Sequence, residues 1–205
     1  MRGRLITIEG LDGSGKTTLA DALVDALRSD GHDVALLREP GGVELSERIR
    51  ALVTDPGLAV DPRAEALLYA AARAQLVAER VEPALAAGTW VLLDRFVDSS
   101  LAYQGVGRGL GVDAVRDVNL FGTGGLAPDR TLLLRADAAT RAARQVGRGQ
   151  APDRLEREDD AFFDAIAGAY DALAAAEPER FRVLDAGAEP AVVLAAARAA
   201  LVDLG

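Results

Sequence analysis

The chain has 205 residues, half of them hydrophobic, and carries 23 Lys plus Arg against 32 Asp plus Glu, a net charge of −9. That length gives one domain, residues 1–205, and the acidic balance argues against a general nucleic-acid binder, which carries a basic face. The lack of cysteine excludes disulfides, thiol catalysis and zinc–thiolate sites, and a single histidine, His32, argues against a histidine triad or metal site.

The first apolar run, residues 5–8, reads as a buried strand ending at Glu9-Gly10. Residues 17–30 carry Leu19, Leu23, Val24 and Leu27 at helical spacing, and Gly31 stops that helix. A second strand, 34–37, runs into the breaker Pro40-Gly41-Gly42, and Leu45, Ile49, Leu52 and Val53 mark the next helix. Pro62 opens a long helical stretch to residue 79, with further turns to 87. Strands follow at 90–93, 131–134 and 181–184, separated by helices at about 112–120, 138–145, 159–176 and 190–204. Residues 122–125 read as a glycine-rich loop, and 147–152 as a polar interruption. Continuous apolar strands alternating with helices predict an α/β fold: a five-stranded parallel sheet covered on both faces. No run of about 18 apolar residues occurs, and the N-terminus does not resemble a secretory signal. No membrane association and a cytoplasmic location are expected.

The strongest motif is Gly10-Leu11-Asp12-Gly13-Ser14-Gly15-Lys16-Thr17, which fits G-x-x-x-x-G-K-[ST] between a strand and a helix. Glycines let the backbone wrap a phosphate chain with its N–H groups inward, and the helix N-terminus adds favourable partial charge. Lys16 would reach the β- and γ-phosphates, and the Thr17 hydroxyl would ligate Mg²⁺. Lys16 is the only lysine, so a guanine-reading N-K-x-D motif is excluded. Translocating ATPases carry basic tracks that this chain lacks. A kinase of a small substrate fits both length and charge. Asp94-Arg95 ends the third strand at the edge where open parallel sheets bind ligands. Asp94 would hold Mg²⁺, directly or through water, with Arg95 beside the transferring phosphates.

Four further segments resemble the thymidylate kinase family in order and spacing: Glu39-Pro40-Gly41-Gly42, Asp94-Arg95-Phe96, Ser99-Ser100-Leu101-Ala102-Tyr103-Gln104-Gly105 and Asp153-Arg154-Leu155-Glu156. The resemblance covers residues 4–184. It implies the P-loop nucleoside-monophosphate kinase fold, phosphorylation of dTMP to dTDP with ATP and Mg²⁺ for dTTP synthesis, and a homodimer packed through helices. By the same resemblance Tyr69 stacks on thymine and Arg73, one helical turn on, bonds a thymine carbonyl. Ser100 lies near the ring, Tyr103 against the deoxyribose, and Gln104 beside it. Glu39 and Pro40 form pocket wall, Asp12 binds the 3′-hydroxyl or organises the metal, and Arg95 clamps the dTMP phosphate. Asp185 and Ala186 border adenine, and Arg144 belongs with the ATP contacts. The P-loop holds no arginine, which resembles the bacterial arrangement with a catalytic arginine in a lid, here about residues 147–155. Arg148 is the first candidate for that arginine and Arg154 the second. The alternatives are a kinase of another nucleotide and a nucleotide-dependent regulatory protein on the same fold.

Overall fold

The computed structural model of the chain describes residues 2–146 and 153–205. Five strands form one all-parallel sheet in the order β2-β3-β1-β4-β5. They are β1 (Leu5–Glu9), β2 (Val34–Arg38), β3 (Trp90–Asp94), β4 (Arg130–Arg135) and β5 (Phe181–Asp185). The central strand β1 is buried along its whole length, and Ile8 lies level with Asp94 on one side and Leu132 on the other. The chain moves from β1 to β2 and β3 on one side, then to β4 and β5 on the other. The carboxyl ends of β1 and β3 therefore flank the crevice where such sheets bind ligands.

Helices cover both faces. On one, Ile6, Ile8, Leu92, Leu132 and Leu134 pack against α1 (Lys16–Ser29) and α9 (Pro190–Ala199). On the other, Leu5, Val91 and Leu93 meet Leu76, Val77, Val81 and Leu85, and Leu133 meets Ile166 and Tyr170 of α8 (Asp160–Ala176). The remaining helices are α2 (Glu44–Thr54), α3 (Pro62–Leu76), α4 (Glu82–Ala86), α5 (Val97–Ser100), α6 (Val112–Thr123) and α7 (Ala138–Val146). Local chemistry sets their starts: Asp61 accepts the Arg63 N–H at 2.9 Å before Pro62, and Asp159 accepts the Phe162 N–H at 2.8 Å. No helix among the described residues is long and apolar enough to cross a membrane.

The structure departs from the sequence reading in four places, the simplest being the last helix, which ends at Ala199 rather than 204 and gives way to a 3-10 turn at Val202–Leu204. A helix unpredicted from spacing, α5 and its π-helical continuation Leu101–Gly107, occupies 97–107. Residues 98–105 are buried all round, so no amphipathic stripe signals it. The long helix from Pro62 widens into a π turn at Val77–Val81 before Pro83, whose missing N–H and ring disrupt a regular ladder. Gly122 belongs to α6 rather than to a loop, and a Cβ there would lie 3.3 Å from the Ala70 carbonyl oxygen, so it permits close packing on α3.

Candidate active site

The loop from Gly10 to Thr17 joins β1 to α1. Gly10, Gly13 and Gly15 have φ of 137°, 80° and 94°, the region that only glycine adopts without strain. A Cβ on Gly10 would lie 2.5 Å from the Leu134 carbonyl oxygen. Lys16 donates to the carbonyls of Gly10 and Leu11, both at 3.0 Å, and its Nζ is 3.6 Å from Asp12 Oδ1. Burial and then the Arg95 charge lower its pKa, while Asp12 and Asp94 oppose them. Leu11 offers a ligand only backbone, because its side chain packs in the core with Leu101 and Tyr103. Thr17, Lys16 and Asp94 line one large cavity of about 850 Å³. Asp94 Oδ1 is buried there without a hydrogen-bond partner. Magnesium prefers a few carboxylate or hydroxyl oxygens and completes its shell with water and phosphate. Thr17 and Asp94 fit that pattern. Among the described residues no group of three or more His, Cys, Asp or Glu gathers for a metal.

Beside the loop lies a second, more apolar cavity between Gly13–Gly15 and the turn after β5, with Leu19, Ala188, Pro190 and Val193 in its walls. Arg144 spans it, donating to Ser14 O at 3.2 Å and Ala186 O at 2.8 Å. Ala186 is part of the wall, whereas Asp185 shapes the turn by accepting the Gly187 N–H at 2.9 Å. An apolar slot with backbone rims suits a flat purine ring.

The third cavity, about 100 Å³, is lined by all nine residues that the resemblance assigns to the acceptor: Asp12, Glu39, Pro40, Tyr69, Arg73, Arg95, Ser100, Tyr103 and Gln104. At its base Arg73 is 2% exposed. Its Nε and Nη2 both lie 2.7 Å from Glu39 Oε2, Nη2 also donates to Phe96 O at 2.9 Å, and Nη1 donates to Ser100 Oγ at 3.0 Å and to Asn119 Oδ1. Four guanidinium N–H groups thus donate to protein acceptors, and Nη2 is also ion-paired with Glu39. The expected bond to a ligand carbonyl therefore means sharing one of these donors, a refinement that sequence could not supply. Burial pushes the Glu39 pKa up and Arg73 holds it back, while Glu39 Oε1 stays buried without a partner. Burial, then Glu65, raises the Tyr69 phenol above its ordinary value. Gln104 points its amide at Glu65, 2.8 Å away.

Arg95 stands between the loop and this cavity. It has φ of 69°, a left-handed conformation rare for a side chain of this size. Its own N–H bonds Ile8 O at 3.0 Å. Its side chain reaches Asp12 at 2.7 Å, Ser99 Oγ at 3.1 Å and Tyr103 OH at 3.4 Å, with the guanidinium 5.1 Å from the centre of the Tyr103 ring. Burial opposes its charge, but Tyr103 and Asp12 hold its pKa above the ordinary arginine value.

Several functional residues escaped the sequence reading. Glu9, fully buried before the loop, accepts the Phe96 N–H at 2.8 Å, the Ser99 hydroxyl at 2.6 Å and the Tyr170 hydroxyl at 2.9 Å. It thereby braces the Arg95 turn from below. Burial, then Asp98, pushes its pKa up to about 7 against the pull of Ser99 and Arg95. A glutamate inside the apolar run Leu5–Glu9 was the available signal. Arg50 donates to Pro40 O at 2.9 Å and lines both the third cavity and the large loop cavity. Arg38, which had no assigned role, pairs with Glu47 at 3.0 Å, and Glu47 also accepts the Gly42 N–H at 2.8 Å. Arg38 thus stabilises the Pro40–Gly42 turn.

Arg154, the second candidate for the lid arginine, donates to Glu65 Oε2 on α3 at 2.5 Å and to Val53 O at the end of α2 at 2.9 Å, and Glu65 has no solvent exposure. Arg148 and the part of the lid at 147–152 lie outside the described residues.

Asp12 and Arg95 line both the large loop cavity and the smaller third cavity, so the two meet at one ion pair. A phosphate loop opposite a second cavity lined by Tyr69, Arg73, Arg95 and Tyr103, on a five-stranded parallel sheet, defines a P-loop kinase of the nucleoside-monophosphate type. The family model described as thymidylate kinase matches residues 8–196. A thymidylate kinase of Rhizorhabdus wittichii is 49% identical, covering 100% of this chain and 99% of its own. Those of Alkalilimnicola ehrlichii and Deinococcus radiodurans are 47% and 50% identical, covering 98% and 90% of this chain and 94% and 89% of theirs. The chain belongs to the thymidylate kinase family.

Proposed function

We propose that the acceptor cavity holds dTMP with its phosphate at Arg95 and its base between Tyr69 and Arg73, and that the loop cavity holds ATP. The enzyme phosphorylates dTMP to dTDP with ATP and Mg²⁺. The observation that carries the residue assignment is the Asp12–Arg95 pair at 2.7 Å, which borders both cavities and brings acceptor and donor phosphates to one place.

The attacking atom is an oxygen of the dTMP phosphate, so no general base is required. Positioning and charge neutralisation do the catalysis. Arg95 orients the acceptor phosphate, with a planar guanidinium suited to two oxygens. Lys16 leaves the loop carbonyls and follows the charge that develops on the transferring group. Asp12 steadies both cations and faces the sugar hydroxyl. Tyr103 fills the space beside the sugar that a 2′-hydroxyl would need. Thr17 and Asp94 would hold Mg²⁺, which would neutralise phosphate charge there. Arg144 and Ala186 hold the donor at its base end. Within the single domain Arg148, in the lid at about residues 147–155, supplies the remaining positive charge. The enzyme works in the cytoplasm as a homodimer. Exposed Leu67 on α3 and Leu120 and Phe121 on α6, the last 92% exposed, support the dimer.

A coupled assay of ADP release over the common nucleoside monophosphates tests the assignment. dTMP should be the fastest acceptor. Faster turnover of AMP, CMP or GMP at equal concentration would overturn it.

A further inference from the structure

We propose that Arg154 and Glu65 form a positioning pair that holds the outer wall of the acceptor pocket, and that Arg154 acts on acceptor binding rather than on the transferring phosphate. The proposal rests on the reading of that cavity as the acceptor site.

Asp153 and Leu155 line the cavity, and Arg154, between them, anchors that stretch from behind. The stretch is braced locally: Asp153 Oδ1 accepts the N–H groups of Leu155 and Glu156 at 2.9 Å each, and Glu156 returns a bond to the Asp153 N–H at 3.1 Å. This braced turn is tied to the rest of the protein by the Arg154 bonds to Glu65 and Val53 O, and by its backbone N–H to Thr54 O at 3.3 Å.

Glu65 is the fixed end of the pair. It is 0% exposed, so its charge survives only with cations and donors around it. Besides Arg154 it is ion-paired with Arg108, whose Nε donates to Oε1 at 3.3 Å, and it accepts the Gln104 amide at 2.8 Å. Arg108 is also bound to Glu158 at 2.6 Å, so its charge is shared. For Arg154 to reach a phosphate it would have to abandon both Glu65 and the Val53 carbonyl, leaving a buried carboxylate half compensated. The same helix face carries Glu65, Tyr69 and Arg73 at successive turns. Displacement of Glu65 is therefore felt at the base pocket, and Gln104 passes it to the segment that carries Tyr103.

Steady-state kinetics of Arg154→Ala, Arg154→Lys, Glu65→Gln and the Arg154→Ala/Glu65→Gln double variant test the pair, together with melting temperatures. Arg108 remains to neutralise Glu65 when Arg154 is removed, so the fold should persist. Arg154→Ala should raise the KM for dTMP by about tenfold, leaving kcat and the KM for ATP within about threefold. Glu65→Gln should do the same, and the double variant should be no worse than the larger single effect, because both remove one interaction. Arg154→Lys should recover part of the loss, since an ammonium reaches Glu65 but cannot also hold the Val53 carbonyl. A fall in kcat of about a hundredfold with dTMP KM unchanged would place Arg154 on the phosphates and overturn the proposal. So would equal rises in both KM values with a lowered melting temperature, the mark of a merely structural role. If the wild-type enzyme prefers another monophosphate, the dTMP assignment fails separately. The same KM and kcat comparison with that acceptor then still decides the pair.

Discussion

Replacing Arg73 with methionine removes the only cation bound to Glu39 among the described residues, and its cost can be worked from their surroundings. Glu39 is 6% exposed, and one of its oxygens already lacks a partner. Stranding a buried charge in this way costs about 3–5 kcal/mol. For a domain of this size each kcal/mol lowers the melting temperature by about 2–4 °C, so Arg73→Met should melt about 6–20 °C below wild type. Adding Glu39→Leu removes the stranded charge and should restore much of the loss. A deficit of about 1–3 kcal/mol should remain, because Asn119 Oδ1 and the Phe96 carbonyl lose their donor. The pH dependence has a definite sign. Glu39 already has a raised pKa in the folded protein, and losing Arg73 raises it further. The folded variant then keeps a proton that the unfolded chain releases. Its stability is therefore greatest below the ordinary glutamate pKa and falls as pH rises through the raised value. Thermal denaturation followed by circular dichroism at several pH values reads all of this. A single variant melting within about 3 °C of wild type, or a double variant no better than the single, would refute the reasoning.

Three further outcomes follow from the site. Lys16→Ala should keep its fold and lose about 10²–10³ in turnover, and more than about a tenth of wild-type activity would deny Lys16 a role in the transition state. Tyr103→Phe gives up only a 3.4 Å contact with Arg95 and should leave the preference for deoxyribose nearly unchanged, whereas Tyr103→Ala should relax it. Equal rejection of the ribonucleotide by Tyr103→Ala would move that discrimination elsewhere. Arg148→Ala should lower kcat with little effect on dTMP KM, the reverse of the pattern predicted for Arg154, and unchanged kcat would remove the catalytic arginine from that position.

The sequence by itself determined the sheet and the phosphate loop. Apolar runs of four or five residues between helical spacings leave few folds open, and the Gly10–Thr17 motif carries its mechanism in residue type and spacing. The family resemblance then named Tyr69, Arg73, Arg95, Ser100 and Tyr103, and these residues line one cavity. What only the tertiary structure decided is the pairing of buried charges. The partners of Glu9 are 87 to 161 positions away, and Glu65 meets Arg154 across 89. No local pattern encodes such pairs, because they depend on which segments the sheet order brings together at its carboxyl edge. The same cause hid the helix at 97–107: a segment buried on every side shows no polar face. It also explains Arg154. In sequence it is a basic residue near a lid, but in the folded chain a buried carboxylate holds it, and desolvation of Glu65 makes that contact hard to give up.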